Sequence, residues 1–136
     1  MSMFNILDIS ATAMHAQTVR LNTIASNMAN VDSISSNAED TYRSKQPVFQ
    51  TILDGRQGEA RGGVRVKEIV ESQEPLKMEY YPNHPMANEE GYIFRPNVNI
   101  VEEMANMMSA SRSYETNIEV MNTSKQLLLR TIQLGK

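Results

Sequence analysis

Side chains able to carry chemistry are few and scattered in this chain. Cysteine is absent, and the two histidines, His15 and His84, lie far apart. His15 is followed at i+3 and i+4 by Thr18 and Val19, where a second metal ligand on the same helix face would have to stand. His84 is held in Tyr81-Pro-Asn-His-Pro, a sequence that makes a rigid turn. Zinc ribbons, disulfide frameworks and thiolate nucleophiles are thereby excluded, and no metal or cofactor is expected. The acidic pairs Glu89-Glu90 and Glu102-Glu103 are consecutive, so their side chains diverge. Paired acid–base work needs two carboxyl groups converging on one bond. A solvated loop and the first turn of a helix account for them. Gly55-Arg-Gln-Gly matches the G-x-x-G loop that clamps nucleic-acid backbone in KH modules, but it lacks the flanking helix pair. Asn122-Thr-Ser is a formal glycosylation sequon inside a predicted helix, and so is incidental. No G-x-S-x-G, Walker loop or dinucleotide fingerprint occurs. The chain is not expected to be an enzyme.

Bulk properties narrow the choice further. A length of 136 residues fits one domain. A formal net charge of −3 gives no general attraction to nucleic acid or anionic lipid. No apolar run approaches the roughly 18 residues of a membrane helix, so direct membrane insertion is not expected. The first thirty residues lack the basic and apolar regions of a secretory signal. Ten Met and no Trp, beside five Tyr and three Phe, leave limited material for a private core.

The elements that must position these residues follow from where charge and breakers fall. Residues 1–36 carry only Asp8, Arg20 and Asp32, whereas residues 37–95 are densely charged and hold four of the five prolines, with Pro96 at their edge. The chain therefore reads as helix, turn-rich middle, helix. Low charge on the terminal helices implies that their outer faces do not simply meet water. In the first helix, expected over about Asn5–Asn30, Leu7, Met14, Leu21 and Met28 recur every seven residues. Ala11, Thr18 and Ala25 follow at four, and Ile24 and Val31 at three, making a coiled-coil seam of small or flexible members. In the second, Ile100, Met107, Tyr114, Met121 and Leu128 form an unbroken seven-residue series, extended by Met104, Ile118 and Ile132.

Pro96 with Asn97 or Asn99 marks the start of that second helix and Gly135 its stop, with Glu102 and Glu103 in the first turn and Arg130 in the last. Its length should be roughly 50 Å. The two helices should pair as an antiparallel coiled coil, with the second overrunning the first by roughly 15 Å. Val101, Met108 and Leu127 widen its apolar face, which must be covered by the middle block or by another copy. Within the middle, Pro47–Leu53, Gly63–Val70, Leu76–Tyr81 and Tyr92–Arg95 have the alternation or clustering of short strands. These should form a small sheet, with a loose loop over Gly55–Gly63. The expected fold is mainly α with a small β region: residues 1–32 and 97–136 make the terminal helical part, and residues 33–96 the inserted β part.

These residues also resemble a known family. Leu21-Asn-Thr-Ile-Ala-Ser-Asn-Met-Ala-Asn-Val is similar to the N-terminal signature of the bacterial flagellar axial proteins, through Leu21, Ile24, Ala25, Asn27, Ala29 and Asn30. Pro96-Asn-Val-Asn-Ile-Val-Glu-Glu-Met, Ser109-Ala-Ser-Arg-Ser-Tyr and the final Leu-Leu-Leu-Arg-Thr-Ile-Gln-Leu-Gly resemble its proximal rod members, as do Gly62-Gly-Val-Arg-Val, Pro82-Asn-His-Pro and Gly91-Tyr. Asn37-Ala-Glu-Asp-Thr departs from a Gly-x-Pro turn frequent in the family. The resemblance implies a structural subunit of the flagellar rod, the periplasm-spanning drive shaft that transmits torque. It implies export through the flagellar type III apparatus without a cleaved signal. Its partners would be other rod proteins and its own copies. The packing and interface residues would be Leu7, Met14, Leu21, Ile24, Asn27, Met28, Asn30, Ile100, Met104, Met107, Tyr114, Ile118, Met121, Leu128 and Ile132. The rival from another class is a self-contained coiled-coil adaptor or export chaperone that binds a client helix.

Overall fold

The computed structural model describes residues 3–54 and 61–135. Two long helices dominate, α1 (Met3–Ala29) and α2 (Ile100–Leu134), separated by β1 (Lys45–Asp54), β2 (Arg61–Glu71), β3 (Lys77–Tyr80) and β4 (Tyr92–Arg95). Both helices lie within one or two residues of their expected bounds. Asn99 caps α2, its side-chain oxygen accepting from the Val101 backbone N–H at 3.2 Å. Glu102 and Glu103 occupy the first turn, but the last turn holds no basic residue, since Arg130 falls just before it. Gly135 ends the helix at φ −89°, so the stop does not use the left-handed conformation.

All four expected strands form, but as two separate two-stranded ribbons and not one sheet. β1 and β2 make a long antiparallel hairpin with a bulge at Val48/Phe49. The expected loop at Gly55–Gly63 falls largely outside the described residues. The β1–β2 ribbon lies along α1, where the Val64 backbone N–H donates to Thr12 Oγ1 (3.3 Å), whose own hydroxyl donates to the Ile9 carbonyl (2.9 Å). Gly63 lies at this approach, where a Cβ would come into contact with Thr12 Oγ1 at 3.4 Å.

β3 and β4 pair antiparallel and carry the Tyr80–Tyr92 edge-to-face contact at 5.1 Å. Their connection is the expected turn at Pro82–Pro85, ordered by bonds from His84 N to the Tyr81 carbonyl and from Met86 N to His84 Nδ1. Gly91, at φ 83°, closes the second half of that connection. After α1 the chain returns to β4 through a two-way backbone bridge between Ser35 and Phe94. Among the described residues the buried apolar core is correspondingly thin: Ala16, Ile24, Ile93, Pro96, Val98 and Ala110.

Candidate functional site

Two arrangements could carry function: the junction that holds α1, β1 and α2 together, and the face of α2 that the fold leaves open. The junction centres on Asn27, which is 1% exposed. Its Nδ2 donates to the Lys45 carbonyl (2.9 Å), Glu103 Oε1 (3.0 Å) and Ser44 Oγ (3.3 Å). Its Oδ1 accepts from Tyr42 Oη (2.8 Å) and the Lys45 backbone N–H (2.9 Å). One amide thus ties three elements, using both its donor and its acceptor capacity.

Asn97 repeats the device at the entry to α2. Its Oδ1 accepts from Ser44 N (2.8 Å) and its Nδ2 donates to the Glu74 carbonyl (3.0 Å). Arg43 reinforces the same loop through the Ser72 and Glu74 carbonyls, both at 3.2 Å. Further along the pair, Arg20 donates to Asn106 Oδ1 at 3.1 Å. Asn30 works locally: its Nδ2 donates to the Ser26 carbonyl (2.8 Å) as α1 unwinds. Asn27 and Asn30 were anticipated from the signature, whereas Tyr42, Ser44, Arg20 with Asn106, and Glu103 were not. The available signal was Asn itself, a poor helix former whose cost inside a helix needs a tertiary return.

Glu103 stands in the first turn of α2 as expected, and is only 5% exposed there. Burial is the main cause that lifts its carboxyl above the ordinary value of 4.5, with Glu102 adding to it. Hydrogen bonds from Asn27 and Ser44 and the charge of Arg20 oppose the rise.

The seam of α2 interleaves large side chains with small and polar ones. The side turned inward is Glu103, Met107, Ala110, Tyr114, Asn117, Met121, Ser124 and Leu128, spaced four and three throughout. Met107, Tyr114, Met121 and Leu128 therefore lie where the seven-residue series placed them. Their inward companions are small or polar, however, and not Met104 and Ile118. Ile100, Met104 and Ile118 lie exposed beside the seam, Met104 at 50%, whereas Ile132 continues the inward face one turn past Leu128 and is 57% exposed because α1 does not extend that far. Close approach to α1, with Ser10 and Ala16 buried, suits Ala110 and Ser124 and excludes branched bulk. On α1, Ile24 and Asn27 are buried and Leu7, Met14, Leu21 and Met28 half-buried, as a seam requires.

An exposed apolar surface along α2 results, from Val101, Met104 and Met108 at one end through Ile118 to Leu129, Ile132 and Leu134 at the other. Leu134 is 88% exposed. Asn27 meets Glu103 near one end of the pair, so the antiparallel helices run out of register at the other, and the last two turns of α2 project about 10 Å past the start of α1. Among the described residues, no three His, Asp or Glu side chains converge as a metal would need, and no helix is long and apolar enough to cross a membrane.

Comparison with known proteins agrees with this architecture at both ends. Residues 7–33 match the family model "Flagella basal body rod protein", and residues 89–134 match "Flagellar basal body rod FlgEFG protein C-terminal". The flagellar basal-body rod protein FlgC of Salmonella typhimurium is 50% identical over 136 residues, that of Escherichia coli O157:H7 48%, and that of Bacillus subtilis 35% over 150 aligned positions. In each case the whole of both chains is covered. The chain belongs to the FlgC family of flagellar basal-body rod proteins.

Proposed function

We propose that the chain is a structural, non-enzymatic subunit of the flagellar basal-body rod, polymerising helically with its own copies and with other rod proteins. One observation carries the mechanism: α2 meets α1 over Met107, Tyr114, Met121 and Leu128 interleaved with small and polar side chains, and leaves a second set of large apolar ones, Val101, Met104, Met108, Leu129 and Ile132 among them, uncovered. Covering a half-exposed Met, Ile or Leu contributes about 1 kcal/mol each. A neighbour laid along α2 therefore gains a modest amount at many points. Such contacts, repeated by a screw operation and not closed by a two-fold axis, make a filament. Helical parts at residues 1–32 and 97–136 would form the stacked wall. Residues 33–96 would sit against it, held by the Asn27 and Asn97 junctions. In this reading Ile100, Met104, Ile118 and Ile132 serve contacts between subunits, and Tyr114 and Met121 serve the pairing within one.

Location in the periplasmic part of the rod, and passage through the flagellar type III export apparatus, belong to the same proposal. The thin core and polar seam support it, because a chain with little to unpack is readily threaded. The test is purification of hook–basal bodies from cells that carry Met104→Asp, Ile118→Asp or wild-type chain. Wild type should co-purify and the variants should not. A wild-type chain left in the cytoplasm in a one-to-one complex with a client would instead establish the adaptor reading.

A further inference from the structure

The carboxyl group of Glu103 is pulled two ways: burial, with Glu102 beside it, favours the neutral form and outweighs Asn27, Ser44 and Arg20, which favour the charged one. It lies at the point where α1, β1 and α2 meet, almost closed to solvent, with Oε1 accepting from Asn27 Nδ2 at 3.0 Å. No ion pair holds it among the described residues. Arg20, the cation facing it from α1, is engaged with Asn106 Oδ1 at 3.1 Å. Lys45, facing it from β1, reaches towards Glu71 at 3.9 Å. Glu102 is its neighbour on α2, and Glu74, from the segment after β2, lines the same small polar cavity of about 40 Å³ with Ser44, Asn97 and Asn99. On its other side an open cleft of about 390 Å³, bordered by Arg20, Lys45, Phe49 and Asn106, gives water a route to the carboxyl group.

We propose that Glu103 makes the junction of α1, β1 and α2 a proton-sensitive latch, which closes more firmly when its carboxyl group takes up a proton. A neutral carboxyl still accepts from Asn27, is spared the cost of a buried charge and no longer faces Glu102 as a like charge, which together outweigh the hydrogen bonds from Asn27 and Ser44 and the charge of Arg20 that favour the ionised form. Burial raises the proton affinity of the folded state above that of the unfolded chain, whose carboxyl group titrates near 4.5. The stabilisation by the latch is therefore complete below pH 4.5 and is lost as pH rises through the folded-state value. This direction is opposite to that of an ion-paired carboxylate, and it needs no partner subunit.

The test compares urea unfolding of the intact chain and of Glu103→Gln between pH 4.5 and 8. Gln keeps the oxygen that Asn27 addresses and cannot ionise. Its midpoint should coincide with wild type at pH 4.5 and lie about 0.3–1 M higher at pH 7.5. Equal or lower stability of Glu103→Gln at pH 7.5 overturns the latch and assigns Glu103 a charged role. A second measurement uses the wild-type chain alone and does not depend on the variant folding. The Asn27 side-chain amide proton resonances should titrate with a midpoint above 4.5. A midpoint below 4.5, or no movement, overturns the proposal.

Discussion

Replacing Asn27 by Ala isolates the energetic role of the junction. The change removes the acceptor of the Lys45 backbone N–H at 2.9 Å and the donor to Glu103 Oε1 at 3.0 Å. Tyr42 is not orphaned, because it keeps Ser26 Oγ at 3.1 Å. Each unsatisfied buried group costs about 1–3 kcal/mol. Water entering by the adjacent cleft relieves part of the Glu103 share, and the better helix propensity of Ala returns about 0.5 kcal/mol. The expected net loss is about 2.5 kcal/mol, or roughly 10 °C in melting temperature for a domain of this size, read by circular dichroism in urea and thermal unfolding.

Asn27→Asp sharpens the test. It retains both acceptor bonds but sets a carboxylate oxygen where Nδ2 now meets Glu103 Oε1. At an effective dielectric of about 20, two charges 4 Å apart repel by about 4 kcal/mol. The Asp variant should therefore be less stable than the Ala variant at pH 7.5, and adding Glu103→Gln should restore most of the difference. An Ala variant within about 0.5 kcal/mol of wild type, or an Asp variant indifferent to residue 103, would refute the account of Asn27 as the tie between the three elements.

Other outcomes follow from the same structure. Met104→Asp and Ile132→Asp should leave unfolding free energy within about 0.5 kcal/mol of wild type while abolishing swimming; strong destabilisation would place these side chains inside the folded chain. Met121→Asp, on the inward side, should instead destabilise the monomer by about 1–3 kcal/mol, measured by the same urea titration. Gly91→Ala combines a φ of 83° with a Cβ only 2.9 Å from Tyr80 Cε2, so a cost of about 1–3 kcal/mol is expected, and an unchanged melt would count against that turn. Amide exchange in the free chain should be fast over Leu129–Leu134, which is exposed throughout, and slowest around Ala110.

Much of the architecture was legible because it rests on local chemistry. Proline and glycine segregate into the middle, Asn99 signals a helix start, and heptad spacing marks two long helices. The heptad series Met107, Tyr114, Met121 and Leu128 faces inward, but periodicity ranks faces by hydrophobicity and carries no signal for the close approach of α1 and α2 that places Ala110 and Ser124 between them. Nor does it show where α1 ends, which is what leaves Ile132 uncovered. Glu103 lies in the first helical turn as its sequence position indicates, but its burial has no local signal. A carboxylate in a first helical turn is usually solvated, and only the arrival of Asn27 from 76 residues away in sequence buries it. Short strands were visible, but their division into two ribbons depends on tertiary placement that no local pattern encodes.

The unequal lengths of the two helices bear on mechanics. A helical stack of blocks with flush ends would have planes along which every joint coincides, and a bending load would open it there. Here the end of α2 stands about 10 Å clear of its partner, so each block offers a tongue that the next can overlap. Neighbours joined in this way form a scarfed splice, in which load passes sideways through shear between staggered tongues and not across a butt end. Trimming that tongue back to Leu128 would leave the block intact and take away the stagger, trading a shaft that flexes as one piece for a pile of beads.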